Sequence, residues 1–277
     1  MKLKEMFSVL IASFLFIGGL SFIVKLLRFE LGTIGYILAL LILSFFILII
    51  YKFVEKKSWK DYGIKKVRLQ DIKYSFFFLF ILFPIAFLGR IFDPGFDIWY
   101  AKQSGLLTFY GLLFSFLIMP LYVIKEEIFE RSLIQSKLSQ NYGSLIALFL
   151  VSLNFALMHF YLTKEMNHII TTVISVFFGS MALVLIYEIT KNVFASLLTH
   201  LLYNILVVFQ IYLHAKNYLI YESIFWIIFG LLFLLTFKKS WSEVKVVIKS
   251  KRVSLSFVDW IFFIVFASLP LVLYFLR

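Results

Sequence analysis

Long apolar runs separated by short polar segments constrain the fold of this chain more than any other feature. At about 1.5 Å per helical residue, nine runs are long enough to cross about 30 Å of hydrocarbon. They cover approximately residues 6–27, 32–53, 74–92, 106–124, 143–161, 168–188, 193–213, 219–237 and 255–276. Only helices and closed barrels satisfy their backbone hydrogen bonds in lipid, and the alternating pattern of barrel strands is absent. The sequence therefore predicts an all-α, polytopic membrane bundle of about eight or nine transmembrane helices.

The composition supports a membrane protein and excludes several other classes. Of the 277 residues, 62% are hydrophobic and 15% are charged, which is far from the composition of a soluble domain. The chain has no cysteine, so neither a disulfide framework nor a thiolate site is available. No linker or repeat interrupts the runs. We therefore expect one integral domain, with a two-helix N-terminal segment (1–57), a core (58–213) and C-terminal helices (214–277).

The distribution of basic residues predicts how the chain is oriented. The net charge of +12 comes from Lys and Arg between the apolar runs, without a groove-binding pattern, so the expected partner is the lipid bilayer and not nucleic acid. Most of these residues fall on one side if the N-terminus is cytoplasmic, as the positive-inside rule requires. The loop from Lys52 to Lys73 carries Trp59 and Tyr62, which would suit the headgroup layer. The Phe-, Ile- and Lys-rich composition favours a prokaryotic plasma membrane.

A charged stretch, Lys125 to Arg131, follows the fourth apolar run directly. A carboxylate at bilayer depth costs several kcal/mol, so such residues usually face the bundle interior and are often functional. The next turn-like sequence begins at Ser139, which predicts that the fourth helix continues to about Leu138 and that the chain folds back near Asn141. Counting from the turns at about 1.5 Å per residue then brings Glu126, His159 and His200 to similar depths.

Helical spacing predicts local pairs within this group. Residues four apart lie on one helix face, so Glu127 is expected to pair with Arg131, which leaves Glu126 unpaired. Phe155 should pack on the ring of His159, and His200 should share a face with Asn204. His168 and His214 lie at span edges, where solvent can satisfy an imidazole, and are not expected in the site. The fourth to seventh helices would enclose a polar cavity around these side chains.

The three motifs together resemble a known family. Glu-Glu-x-x-x-Arg, Phe-x-x-x-His and His-x-x-x-Asn occur in this order on successive membrane segments in the CAAX-prenyl-protease and bacteriocin-processing family of intramembrane proteases (CPBP, or Abi). The matching residues here are Glu126, Glu127, Arg131, Phe155, His159, His200 and Asn204. The resemblance covers about residues 58–210. Glu130 and Ser132 depart from the aromatic residue and the glycine that the family commonly has beside the arginine.

The resemblance implies a peptidase that uses activated water without an acyl-enzyme. Glu126 would act as general base, and His159 would orient the water and share the proton. His200 and Asn204 would donate hydrogen bonds to the tetrahedral oxyanion, while Glu127 and Arg131 would brace the first helix. The expected substrate is a membrane-associated peptide or protein. Bacteriocin or signalling-peptide processing and self-immunity are the expected settings.

Two alternatives stay open. Glu126, His159 and His200 are oxygen and nitrogen donors that suit a catalytic zinc, although no His-Glu-x-x-His element fixes two ligands on one helix. The same cluster could instead hold together a non-catalytic scaffold or immunity protein that binds a peptide or a sensor partner. A transporter is disfavoured, because the hydropathy shows no internal repeat.

Overall fold

In the computed structural model, the described residues, 5–15, 32–93, 95–159, 166–248 and 255–275, form helices joined by short turns. The helices are α1 (Glu5–Leu15), α2 (Gly32–Glu55), α3 (Leu69–Phe92), α4 (Phe96–Gln103), α5 (Phe109–Glu127), α6 (Ser136–Tyr142), α7 (Ser144–Met158), α8 (Met166–Thr190), α9 (Val193–Ala215), α10 (Leu219–Ile248) and α11 (Phe257–Phe275). A 3-10 turn (Trp59–Tyr62) precedes α3, and a π segment (Ile128–Gln135) joins α5 to α6. This confirms the all-α prediction for the described part of the chain.

Several of these helices suit a bilayer. Four contain stretches long and apolar enough to cross a membrane: Leu69–Ala86, His168–Thr190, Val193–Ala215 and Leu219–Lys238. Three shorter apolar helices accompany them: Glu5–Leu15, Ser144–Met158 and Phe257–Pro270. The protein is therefore an integral membrane protein. The count of eight or nine spans and the domain boundaries stay predictions, and much of the first predicted run, 6–27, lies outside the described residues.

A single long helical rod carries the charged stretch. Thr108 caps the N-terminus of α5, because its Oγ1 accepts a 3.0 Å hydrogen bond from the amide of Gly111. The rod continues without interruption through the π segment and α6 until Gly143, whose φ of +84° ends the helix and reverses the chain into α7. This confirms that the fourth helix continues beyond the end of its apolar run. The reversal falls at Gly143 instead of Asn141.

The π segment interrupts the regular phase of that rod. All eight residues from Ile128 to Gln135 are buried. A π turn places an extra residue within one turn, so side chains on either side of it are rotated relative to a regular α-helix. Wide turns of this kind frequently occur at functional sites. Here the segment starts directly after the two adjacent acids Glu126 and Glu127.

The start of α9 is fixed by a loop that precedes α3. The amide of Val193 donates a 2.8 Å hydrogen bond to the carbonyl of Gly63, whose φ is +74°. Asn192 caps α9 by accepting from the amide of Phe194, and its Nδ2 donates to Asp71 on α3 at 2.9 Å. These contacts set the position of α9, the helix that bears His200.

In the same loop, one of the two aromatic residues does not lie where the headgroup prediction placed it. Tyr62 is 1% exposed, and its hydroxyl donates a 3.0 Å hydrogen bond to Glu55, so it is not a headgroup anchor. The 3-10 turn folds this side chain inward, whereas Trp59 stays partly exposed beneath Lys52. Hydrogen bonds from the Ser58 hydroxyl and amide hold the pKa of Asp61 below its ordinary value. The loop is therefore a docked structural element.

Candidate active site

Glu127 is the residue that joins the helices around the site. Its Oε1 lies 2.9 Å from Nδ1 of His200 on α9, and its Oε2 lies 3.3 Å from Nε of Arg131. Both Glu127 and Arg131 are fully buried. Arg131 also donates from Nη2 to Ser180 on α8 at 3.2 Å. The pair expected from spacing is therefore present, and it connects the rod to α8 and α9.

The contact with Glu127 also orients the imidazole of His200. When Nδ1–H donates to the carboxylate, the other ring nitrogen, Nε2, points away from Glu127. That nitrogen faces Glu126, whose Oε2 lies 3.9 Å away. This separation is too long for a direct hydrogen bond.

Glu126 is not unpaired, which corrects the expectation from spacing. Its Oε1 lies 3.4 Å from Nζ of the preceding residue, Lys125, and both side chains are largely enclosed at 6% and 17% exposure for Lys125 and Glu126. Neighbouring residues on a helix do not normally face each other, so the helical period did not indicate this contact. Glu126 therefore meets a different nitrogen at each carboxyl oxygen.

His159 enters from the end of α7. Its Nδ1 lies 2.8 Å from the carbonyl of Phe155, one turn earlier, so Nδ1 carries the proton in that bond and Nε2 is the free nitrogen. The Phe155 ring lies 4.6 Å from that of His159 and 6.1 Å from that of His200, centroid to centroid. Glu126 interacts electrostatically with both imidazoles. Phe155 thus packs against both histidine rings.

Two further residues have distinct positions. Asn204 is half-buried one turn beyond His200, and no hydrogen bond in the described part of the chain joins its side chain to the cluster. Glu130 is fully buried, and neither of its carboxyl oxygens has a hydrogen-bond partner among the described residues. It lies within electrostatic range of Glu126, Glu127 and Arg131.

Sequence reasoning missed three side chains that support the site. Lys125 was seen only as part of the charged stretch, and Ser180 lies in an apolar run with nothing to distinguish it. Ser196 also interacts with Glu127, while its hydroxyl donates a 3.0 Å hydrogen bond to the carbonyl of Val193. The helical period could have found Ser196, because it precedes His200 by four residues and shares its face.

The proposed zinc ligands do not form a metal site as arranged. Zinc binds nitrogen and oxygen donors at about 2.0–2.2 Å in a tetrahedron, which keeps neighbouring donors within about 3.5 Å of each other. Glu126 Oε2 and His200 Nε2 are 3.9 Å apart. Among the described residues, no group of three or more His, Asp or Glu is placed to hold a metal ion.

The two edge histidines lie outside the site, but they are not left to solvent. His168 Nδ1 lies 2.6 Å from Oδ2 of Asp93, and His214 Nδ1 lies 3.1 Å from Oε2 of Glu222. Glu222 belongs to an outer cluster, defined as Asp97, Gln210, His214, Glu222 and Trp226, which joins α4, α9 and α10. The solvent interpretation was wrong because α4 and α10 fold over these positions.

Fold and site together define a class: an integral membrane protein in which a carboxylate and two imidazoles meet within a helical bundle. Residues 106–206 match the model of the Rce1-like family, described as "Type II CAAX prenyl endopeptidase Rce1-like". This part of the chain is therefore similar to a CAAX protease family, which supports the resemblance carried by the motifs. The matched region contains all seven motif residues. No curated protein and no solved structure matches the chain.

Proposed function

We propose that this protein is an intramembrane endopeptidase that hydrolyses a peptide bond of a membrane-associated protein or peptide with activated water. The observation that carries the proposal is the arrangement of Glu126, with Oε2 3.9 Å from Nε2 of His200 and His159 close by. The printed description of the matched family, a prenyl endopeptidase, supports the same reaction class. Processing or self-immunity involving bacteriocins or signalling peptides is the proposed setting.

Glu126 is the proposed general base. A carboxylate removes a proton from water only within hydrogen-bond reach, and the gap between Glu126 and His200 is suited to a bridging water. The water oxygen would attack the carbonyl carbon while its proton passes to Glu126, which then protonates the leaving nitrogen. The bond to nitrogen breaks as that proton arrives, so no covalent enzyme intermediate is needed.

His159 and His200 have different proposed roles. His159 is held at Nδ1 by the Phe155 carbonyl, so its free Nε2 is available to orient the attacking water. His200 is held at Nδ1 by Glu127, and its Nε2, when it carries a proton, would donate a hydrogen bond to the tetrahedral oxyanion. Asn204 would add a second donor once substrate is bound. Glu127 and Arg131 fix the helices that carry these groups.

The proposed orientation places the site in the cytoplasmic half of a prokaryotic plasma membrane. With the N-terminus inside, the turn between α8 and α9 is cytoplasmic, and His200 lies about 11 Å into α9 at about 1.5 Å per residue. Substrates would then reach the site from the inner leaflet.

The test begins with finding substrates and ends with purified protein. New peptide termini in membranes that contain the protein, absent without it, define a substrate, which is then supplied to the protein in liposomes. Glu126→Gln should lower cleavage by at least about 10²-fold, while the control Glu222→Gln, in the outer cluster, should cleave normally. A folded Glu126→Gln protein with undiminished activity would overturn the assignment.

The same assay distinguishes a metal-dependent mechanism from the metal-free mechanism proposed above. We expect cleavage to persist after treatment with a strong chelator, and purified active protein to contain no stoichiometric zinc. Loss of activity on chelation, with recovery on adding zinc, would instead support a zinc held by Glu126, His159 and His200.

The second candidate function is a non-catalytic scaffold or immunity protein that binds a peptide or a sensor partner. Two observations favour it: Lys125 already neutralises Glu126, and Glu130 adds a buried acid to the cluster. It predicts that the protein produces no new termini, and that Glu126→Gln retains both peptide binding and protection of the cell.

A further inference from the structure

Lys125 is a buried cation directly beside the proposed general base, Glu126. Its side chain is 6% exposed, and its Nζ lies 3.4 Å from Oε1 of Glu126. The same Nζ lies 5.1 Å from the ring centroid of Tyr122. An ammonium group removed from water costs several kcal/mol unless it is paired. The carboxylate of Glu126 provides that pairing.

The contact is not a consequence of helix geometry. Residues that are adjacent on a helix point about 100° apart, so an ion pair between Lys125 and Glu126 requires both side chains to bend toward each other. The other nearby cation, Arg131, is held by Glu127 and Ser180. Lys125 is thus the cation paired with Glu126 in the described part of the chain.

The two carboxyl oxygens of Glu126 face different nitrogen atoms. Oε1 faces Lys125, and Oε2 faces Nε2 of His200 at 3.9 Å. A glutamate has three rotatable side-chain bonds, and one held oxygen restricts where the other can lie. We propose that Lys125 is a positioning residue that anchors Oε1 of Glu126 and keeps Oε2 turned toward Nε2 of His200, where the proposed attacking water would bind. This inference rests on the proposed peptidase function.

The expected fall in kcat follows from the displacement of the general base. A displacement of about 1 Å at a reacting group can lower a rate by about 10²-fold. Without the ammonium, Glu126 gains freedom, but its own carboxylate and the substrate contacts remain. Loss of Lys125 should therefore reduce kcat and leave KM nearly unchanged.

A second lysine in the protein provides a matched control. Lys137 is also buried, with a side chain 2% exposed, and it pairs with Glu55. Its Nζ lies over the ring of Tyr51, 3.8 Å from the centroid. The chemical pattern of lysine, carboxylate and aromatic ring is the same, but its partners are on α1 and α2. Removing Lys137 reports the structural cost of losing a buried lysine.

The experiment compares Lys125→Met, Lys125→Arg and Lys137→Met in liposomes, with a substrate that the unaltered protein cleaves and Glu126→Gln does not. We expect kcat to fall by about 10–100-fold in Lys125→Met with KM within about twofold. Lys125→Arg should restore most of kcat, because the charge remains. Lys137→Met should lower the melting temperature and retain kcat.

The outcomes separate this inference from the function on which it rests. If the unaltered protein cleaves nothing, the peptidase proposal fails and this inference fails with it. If the unaltered protein cleaves and Lys125→Met has the same kcat, only the positioning role is overturned. An equal fall in kcat for Lys125→Met and Lys137→Met would also overturn it. Lys125→Gln replaces Lys125→Met if the methionine variant does not fold.

Discussion

Two histidine–glutamate pairs lie along α9, one buried and one partly buried, and each can be compared with the other. His200 Nδ1 meets Glu127 at 2.9 Å, and His214 Nδ1 meets Glu222 at 3.1 Å. His214 follows His200 by 14 residues, or about 21 Å along the helix at about 1.5 Å per residue. Each pair also joins α9 to another helix. By pairing alone, the two would be indistinguishable.

The pairs differ in what surrounds them. In the outer cluster, Gln210 donates 3.0 Å hydrogen bonds to both Asp97 and Glu222, so the acids are tied together. At the inner pair, a second acid, Glu126, faces the far nitrogen of His200 without a direct hydrogen bond. A histidine–glutamate pair is therefore a way to connect helices. The inner pair differs in having a second acid, Glu126, opposite Nε2 of His200, and this acid is the proposed general base.

The largest expected difference between the pairs is in stability. Glu127→Gln leaves Arg131 fully buried without its ion-pair partner, which should lower the free energy of unfolding by about 3–5 kcal/mol. Glu222→Gln removes a carboxylate whose partners are not arginine, and should cost about 1–3 kcal/mol. Thermal unfolding of both variants in one detergent measures the difference. Equal shifts in melting temperature would show that the Glu127–Arg131 pair stabilises the protein no more than the contacts of Glu222 do.

The next largest difference is in activity. His200→Gln should lower cleavage of an identified substrate by about 10²–10³-fold, the usual effect of losing one oxyanion donor. His214→Gln removes the equivalent imidazole of the outer pair and should leave the rate within about twofold of normal, because it is far from Glu126. A comparable loss of rate in both variants would mean that the outer cluster takes part in the reaction.

The smallest effect concerns Glu130, which has no counterpart in the outer cluster. A buried carboxyl group without hydrogen bonds is unfavourable, so Glu130→Leu should raise the free energy of unfolding by about 1–3 kcal/mol. The matched variant Glu222→Leu should lower it, because the oxygens of Glu222 accept hydrogen bonds from Gln210 and Trp226. Melting temperatures of the two variants provide the comparison. A destabilised Glu130→Leu protein would indicate that Glu130 has a structural role.

Much of the site follows from local spacing. Glu127 and Arg131 are four residues apart on a helical rod, and their pairing needs only the helical period, as does the packing of Phe155 on His159. The depth of the charged stretch could be inferred because no turn-forming residue precedes Ser139. The apolar runs predicted the helices in the described part of the chain, although α4 was missed because its eight residues are too few to form a membrane-spanning run.

The sequence by itself determined that the chain is a membrane-embedded helical protein and which residues could react, since hydropathy and helical period are local properties. Only the tertiary structure decided which side of each helix faces which neighbour. That packing gave His214 a carboxylate partner and buried Tyr62 against Glu55, and it enclosed the adjacent side chains of Lys125 and Glu126. Contacts between helices depend on their relative rotation, and the π segment shifts the phase of the rod where its charges lie. Spacing along one helix therefore does not predict them.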